Sequence, residues 1–145
     1  WFQDASLDWQ LMLSTVAIAI PAYVFAAALM TAIGATTTST QESQATGAIF
    51  FILHVVPLYL AALIIKEPNA LLPTICTFLP FTSLLTVVLR NVFASVPLWQ
   101  IAVAFALQIV YAVVALWLAG RAFRLGMLQY GQRLNWRRLL KARPS

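Results

Sequence analysis

The sequence is poor in charged residues and in the side chains that catalysis and metal binding use. Only 9% of its 145 residues are charged, whereas a soluble domain carries about 25%. It has one cysteine, one histidine and four acidic residues. A single cysteine excludes an internal disulfide, and no metal-ligand spacing, glycine-rich phosphate loop or nucleophile motif occurs. We therefore expect a chain that is not an enzyme and that holds no cofactor or metal of its own.

Long apolar runs take the place of the missing charge. Hydrophobic residues make up 62% of the chain, and about twenty apolar residues are enough to cross a bilayer as a helix. Three runs predict transmembrane helices, at residues 11–35, 46–65 and 98–120. The fold class that follows is an all-α integral membrane protein with one transmembrane domain over residues 1–145. Small residues in the second half of the first run predict close helix packing there.

Most of the positive charge follows the last predicted span. Seven of the nine basic residues lie in residues 121–145, and a Lys/Arg cluster beside a span marks its cytoplasmic side. Because the net charge of +5 is concentrated beside a membrane span, it suits anionic lipid headgroups rather than nucleic acid. Apolar residues in this tail recur at spacings of 4, 3 and 4, which predicts a basic amphipathic helix on the membrane surface: Phe123, Met127, Tyr130 and Leu134.

Residues 70–95 are the ambiguous part of the chain. The stretch 70–89 is uncharged and long enough to span. Pro73 and Pro80 divide it, however, and it is richer in hydroxyl side chains than the other apolar runs. We therefore predict a re-entrant helical hairpin, two short helices that enter the membrane and return, rather than a fourth crossing. Irregular backbone at membrane depth requires protein or water around it.

The number of crossings decides the side of every loop. With a cytoplasmic C-terminus, three crossings place residues 1–10 outside the cytoplasm and residues 36–47 inside, and four crossings reverse both. The two prolines favour three. Within 36–47, the spacing of Ser39 and Glu42 predicts a capping box at the start of a helix. This loop is either a simple cap and turn or a contact surface for a cytoplasmic partner.

Four residues are candidates for a substrate pathway or for coupling to a partner: His54, Arg90, Gln108 and Glu42. His54 lies within the second span, where a titratable group is a functional hypothesis by default, although a neutral imidazole is also tolerated as a packing residue. Arg90 either extends to the lipid headgroups or caps helix carbonyls and attracts anionic groups. Gln108 lies near the middle of the last span and is expected to bond to a neighbouring helix.

Four stretches resemble the membrane (permease) subunit of ABC type-2 exporters, in the branch of sodium-exporter permeases. They are residues 26–44, 66–90, 96–107 and 121–133. The last, RAFRLGMLQYGQR, is the most specific and is similar to the exit of the family's final span. The order and spacing of the four stretches resemble the C-terminal half of such a subunit.

The resemblance implies a permease of the inner (cytoplasmic) membrane that forms part of a substrate pathway and exports by alternating access. It implies a separate ATP-binding subunit that carries ATP and Mg, and a second permease or other membrane subunit. Residues 70–95 would be short re-entrant helices on the external side. Two other functions stay open: a non-catalytic accessory or scaffolding subunit of a larger membrane complex, and a proton-coupled carrier that uses His54.

Cysteine labelling from each side of the membrane tests the predicted topology. In a chain whose Cys76 is replaced by Ala, we expect Ser39→Cys to react with an impermeant reagent from the cytoplasm and Asn69→Cys to react from outside. The reverse pattern would contradict the three-crossing topology.

Overall fold

The computed structural model describes residues 9–94 and 96–128, and the side chains of these residues except 126–128. The described residues contain six α-helices and no strand. In chain order the helices are α1 (Trp9–Thr36), α2 (Thr40–Tyr59), α3 (Ala61–Lys66), α4 (Leu71–Phe78), α5 (Ser83–Phe93) and α6 (Leu98–Leu128).

Three helical stretches are long and apolar enough to cross a membrane: Trp9–Thr36, Thr40–Lys66 and Leu98–Leu125. Each of the three spans predicted from the sequence falls within one of them, so the all-α membrane fold is confirmed. The second stretch combines α2 and α3, which are interrupted at Leu60. Pro57 lies within α2 three residues before the interruption, and it has no N–H to donate to the Leu53 carbonyl in the preceding turn.

The start of α2 has the predicted cap. Ser39 is the N-cap residue, and its Oγ accepts a hydrogen bond from the Glu42 backbone N–H at 3.2 Å. The carboxylate of Glu42 does not return to Ser39. It accepts instead from the backbone N–H of Thr38 at 3.4 Å and from the Thr38 hydroxyl at 3.3 Å. The return hydrogen bond of the capping box is therefore made by Thr38, one residue before Ser39.

The helices α1 and α6 form the main packing interface, and they run parallel. Residue numbers rise together along both helices: Ile18 clusters with Ile101 and Ala104, and Ala32 clusters with α6 residues between 112 and 122. On α6 the buried residues recur every three or four positions, as one helical face requires: Ile101, Ala104, Gln108, Ala112, Ala115, Ala119 and Ala122. Because most of these side chains are alanines, the two backbones approach closely, as the small residues predict.

Between α3 and α6 the chain forms a hairpin of two short helices, α4 and α5, joined by residues 79–82. One end of the bundle, the base end, is where α1 and α6 begin. The hairpin finishes there, because Asn91 of α5 donates to Ser14 of α1 at 3.0 Å and Gln10 of α1 donates to the Val96 carbonyl at 3.1 Å. It also starts there, because the Arg90 Nη2 at the end of α5 donates to the Asn69 Oδ1 just before α4 at 3.0 Å. A full crossing by this segment would have made α6 antiparallel to α1.

The helix α6 continues without a break past the predicted end of the last span at residue 120, through Leu128. Phe123 is exposed on this extension, and the Arg121 guanidinium lies 5.1 Å from the ring centroid of Trp117. Most of the predicted amphipathic surface helix, with Tyr130 and Leu134, lies outside the described residues and stays a prediction.

Close packing of α1 against α6 leads to a stability prediction. We expect Ala115→Leu, at a position 2% exposed, to lower the free energy of unfolding by about 1–3 kcal/mol because the added atoms overpack the interface. Thermal unfolding in detergent micelles measures the loss. Val114→Leu, one residue away and 49% exposed, is the matched control and should be close to neutral. Equal effects at both positions would contradict this packing.

Candidate functional site

The hairpin presents its polar face to the interior of the bundle. Ser83, Thr86 and Arg90 follow one another on α5 at spacings of three and four, which places them on one helical face. Their side chains are 1%, 0% and 0% exposed, respectively, whereas the apolar Val92 and Phe93 are exposed. This arrangement is typical of membrane helices, because a polar group turned toward lipid would lose its hydrogen bonds.

Arg90 joins the two helices of the hairpin. Its Nη1 donates to the Thr77 Oγ1 on α4 at 2.8 Å, and its Nη2 donates to the Asn69 Oδ1 just before α4 at 3.0 Å. The Thr77 hydroxyl in turn donates to the Pro73 carbonyl at 2.9 Å. The guanidinium is thus turned into the protein, so the extension to lipid headgroups is wrong. It also bonds to side-chain oxygens and not to helix carbonyls.

The charge of Arg90 is not balanced by a carboxylate among the described residues. Both of its hydrogen-bond partners are neutral, and its Nε has no partner in the described part of the chain. Of the acids that the structure describes, Glu42 bonds to Thr38, and Glu67 is exposed. A guanidinium keeps its positive charge in proteins, and a buried charge without a counter-charge is costly. Within the site, the charge of Arg90 without a described counter-charge is therefore the largest electrostatic cost.

The hydroxyls beside Arg90 share its lack of partners. The Ser83 Oγ and Thr86 Oγ1 atoms are buried and have no hydrogen-bond partner among the described residues. With the Arg90 Nε they form a line of unbonded polar atoms along α5. The arrangement can bind a ligand or water that supplies several hydrogen-bonding atoms, and it offers no nucleophile with an adjacent base. In the residues that the structure describes, no group of three metal-binding side chains occurs.

The turn of the hairpin is held at the middle of the long helices. Gln108 of α6 donates from Nε2 to the Pro80 carbonyl at 3.1 Å, and Tyr111 of α6 donates from its hydroxyl to the Phe78 carbonyl at 3.2 Å. Both carbonyls lie where α4 has ended, so no helical N–H is available to them. Gln108 was expected to bond to a neighbouring helix, and its partner is instead the turn between α4 and α5. Its Oε1 atom remains unbonded among the described residues.

Phe81 is the contact between the turn and the other two spans. Its ring centroid lies 5.2 Å from that of Phe25 on α1, and 5.4 Å from those of Phe50 and His54 on α2. The His54 ring meets Phe81 edge to face, and its Nδ1 lies 2.9 Å from the Phe50 carbonyl oxygen. These contacts are those of a packing residue, and the use of His54 in a proton relay stays a prediction.

The structure brings three of the four candidate residues to the hairpin. Arg90 lies at its base end, whereas Gln108 and His54 contact adjacent residues of its turn. Glu42 is remote from them at the start of α2. Sequence reasoning did not identify as site residues four of the residues that complete the site: Asn69, Thr77, Phe81 and Tyr111. The excess of hydroxyls in residues 70–95 was the available signal for Thr77, and nothing in the sequence marked the other three.

The fold and the site define a multi-pass membrane protein whose polar groups are turned inward. The chain belongs to the ABC-2 family transporter proteins, whose family model matches residues 1–121. This family consists of membrane proteins of ABC transporters. It is 26% identical over 119 residues to an uncharacterised protein of Methanocaldococcus jannaschii, an alignment that covers 82% of this chain. The chain spans 30% of the length of that relative. No solved structure matches it.

Removing the hydroxyl of Thr77 tests the Arg90 contact. Thr77→Val keeps the shape but leaves Nη1 without its acceptor, so we expect a loss of about 1–3 kcal/mol in the free energy of unfolding. In an Arg90→Met background the same substitution should cost clearly less, because only the bond to Pro73 is then lost. Thr74→Val is the matched control, since its hydroxyl bonds only to the Ala70 carbonyl. Equal losses at Thr77 in the two backgrounds would contradict the contact.

Proposed function

We propose that this chain is the permease component of an ATP-driven export system and that it works with a separate ATP-binding subunit. The observation that carries the proposal is the hairpin of α4 and α5, whose polar face is buried among apolar spans in a member of the ABC-2 family. A polar face at this depth is suited to line a route for polar cargo. ATP and Mg belong to the partner subunit in this scheme.

We infer that the hairpin is re-entrant from the external side. The parallel course of α1 and α6 supports this, since a hairpin that returns to its own side leaves both helices crossing in the same direction. The contacts of its turn with Phe25, His54 and Tyr111 support a position near the middle of the bilayer. The basic residues after α6 favour a cytoplasmic C-terminus. Residues 1–10 and the base end are then external, and the membrane is the inner (cytoplasmic) membrane.

A complete transport route requires more membrane protein than this chain. Three spans do not enclose a pathway, and α2 exposes many large apolar side chains. A second permease subunit, or further spans of a longer chain of which this would be the C-terminal half, would complete the enclosure. The motif at residues 121–133 supports placing the chain in the sodium-exporter-permease branch. The basic residues of that motif would lie beside anionic lipid headgroups.

The loop before α2 is the proposed contact with the ATP-binding subunit. Glu42, in the first turn of α2 next to this loop, is half-buried, and its carboxylate accepts hydrogen bonds from Thr38. In the proposed topology this loop is cytoplasmic, whereas Glu67 at the other end of the second span is external. The two carboxylates therefore differ in which side of the membrane they face.

An accessory or scaffolding role is the second candidate. It is favoured by the exposed apolar side chains of α2. A subunit of this kind would use α2 to bind neighbouring membrane proteins and would need no ATP-binding partner.

Co-purification with the co-expressed ATP-binding subunit separates the two candidates. We expect the tagged chain to retain that subunit, and Glu42→Ala to reduce its retention roughly tenfold through loss of an interface contact. Ser39→Ala removes the helix cap but keeps the carboxylate, so it separates a folding effect from a contact effect. Glu67→Ala should leave retention unchanged.

Two results would count against the proposed function. Recovery of the chain in fixed proportion with an unrelated membrane complex, without an ATP-binding subunit, would favour the scaffolding role. Equal losses for Glu42→Ala and Glu67→Ala would remove the loop before α2 as the specific contact.

A further inference from the structure

We propose that Arg90 is the centre of a binding site for a phosphate-type oxyanion at the base end of the hairpin. The anion is either a phosphodiester of a lipid headgroup or a soluble phosphate group. The inference rests on the proposed function only in placing this end outside the cytoplasm; the binding itself depends on the geometry around Arg90.

The first argument is charge. The guanidinium is 0% exposed, and its two acceptors, Thr77 and Asn69, are neutral. Burial of an ion is offset only by a counter-charge together with bonds to its remaining protons. The described residues supply the bonds in part and the counter-charge not at all. An anion would supply both.

The second argument is the number of free donors. A guanidinium has five N–H groups in a planar fork that matches phosphate oxygens. Two of the five are used, by Thr77 and Asn69, and Nε has no partner among the described residues. One turn earlier on the same face, the Thr86 hydroxyl is also without a partner. A tetrahedral oxyanion has enough acceptor atoms for these separate donors.

The third argument is access. Asn69 lies in the short link between α3 and α4 and is exposed, although its Oδ1 accepts from the buried Nη2. Rotation of this surface side chain would free Nη2 of its acceptor. The incoming oxygen replaces a neutral amide oxygen with a charged one, and charge-assisted hydrogen bonds are about twice as strong as neutral ones. Asn69 is therefore a replaceable acceptor at the mouth of the site, and its amide N–H groups become donors to the anion.

Among the residues that the structure describes, the charged side chains next to Asn69 do not oppose an anion. Lys66 and Glu67 are adjacent and both exposed, so their charges offset one another at the surface. Glu67 is also the described carboxylate that is nearest in sequence to Asn69, which makes it the competing counter-charge. The experiment has to separate an external anion from this carboxylate.

Substitution of Asn69 by Asp is the decisive variant. The aspartate has nearly the same shape and places a fixed carboxylate on Nη2. We expect Asn69→Asp to raise the melting temperature in phosphate-free buffer and to abolish any further rise with added anion. Arg90→Gln should lose the response as well. Arg90→Lys keeps the charge without the fork and should respond more weakly, which covers the case in which Arg90→Gln does not fold. Glu67→Gln should respond as the unaltered chain does.

The measurement is thermal unfolding of the purified full chain in detergent micelles. One series adds inorganic phosphate against sodium chloride at equal ionic strength. The other adds phosphatidylglycerol against phosphatidylcholine. At ten times its dissociation constant the effective anion should raise Tm by about 4 °C. A response to inorganic phosphate assigns a soluble phosphate group, and a response to phosphatidylglycerol alone assigns a lipid headgroup.

Three outcomes overturn the proposal: no response of the unaltered chain to either source, an undiminished response in Asn69→Asp or Arg90→Gln, or loss of the response in Glu67→Gln with a raised melting temperature in that variant. None of these measurements involves ATP or an ATP-binding subunit. Failure here and failure of the proposed function are therefore distinguishable.

Discussion

The carbonyl groups at the turn of the hairpin impose the constraint on which the rest of the structure depends. Where α4 ends, the Phe78 and Pro80 carbonyls lie among apolar helices and have lost the helical N–H groups that would bond to them. Inside a membrane no water replaces those donors. Tyr111 and Gln108 of α6 donate to these two carbonyls instead. A turn at the middle of the long helices is possible because α6 carries polar side chains at the same position along the bundle.

The parallel packing of α1 and α6 sets the position of these polar side chains along the bundle. Alanines along both helices keep the two backbones close, and the clustering of Ile18 with Ile101 and Ala104, and of Ala32 with α6 alanines between 112 and 122, fixes their register. Two parallel spans that are separated in the chain by one antiparallel span leave a segment that must return to its starting side. The hairpin is that segment. Asn91 and Gln10 close its base end against α1 through hydrogen bonds to Ser14 and Val96.

Apolar length and prolines were sufficient to predict the three long helices and the division of residues 70–95 into two short ones, because these features act locally. The cap at Ser39 was predictable for the same reason. The direction of Arg90 was not, because it depends on Thr77 and Asn69, whose hydrogen bonds to it form only once α4 and α5 are side by side. Gln108 could be expected to bond to a neighbour, but nothing local in the sequence identifies Pro80 as that neighbour. The contact of His54 with Phe81 could likewise not be predicted, because it depends on where along the bundle the turn lies.

The hairpin is hydrogen-bonded to α6, whereas it meets α2 through ring contacts. This difference bears on how a permease would move. Its two helices are tied to each other by Arg90 and Thr77, and its turn is tied to α6 by two hydrogen bonds. Its contacts with α2, by contrast, include those of the Phe81 ring with Phe50 and His54. Separating such rings leaves no buried donor or acceptor without a partner, whereas breaking a buried hydrogen bond does. Displacement of α2 would therefore break none of these hydrogen bonds, whereas displacement of α6 would break two. In an alternating-access cycle, α1, α6 and the hairpin would move as one body, and α2 would move against it.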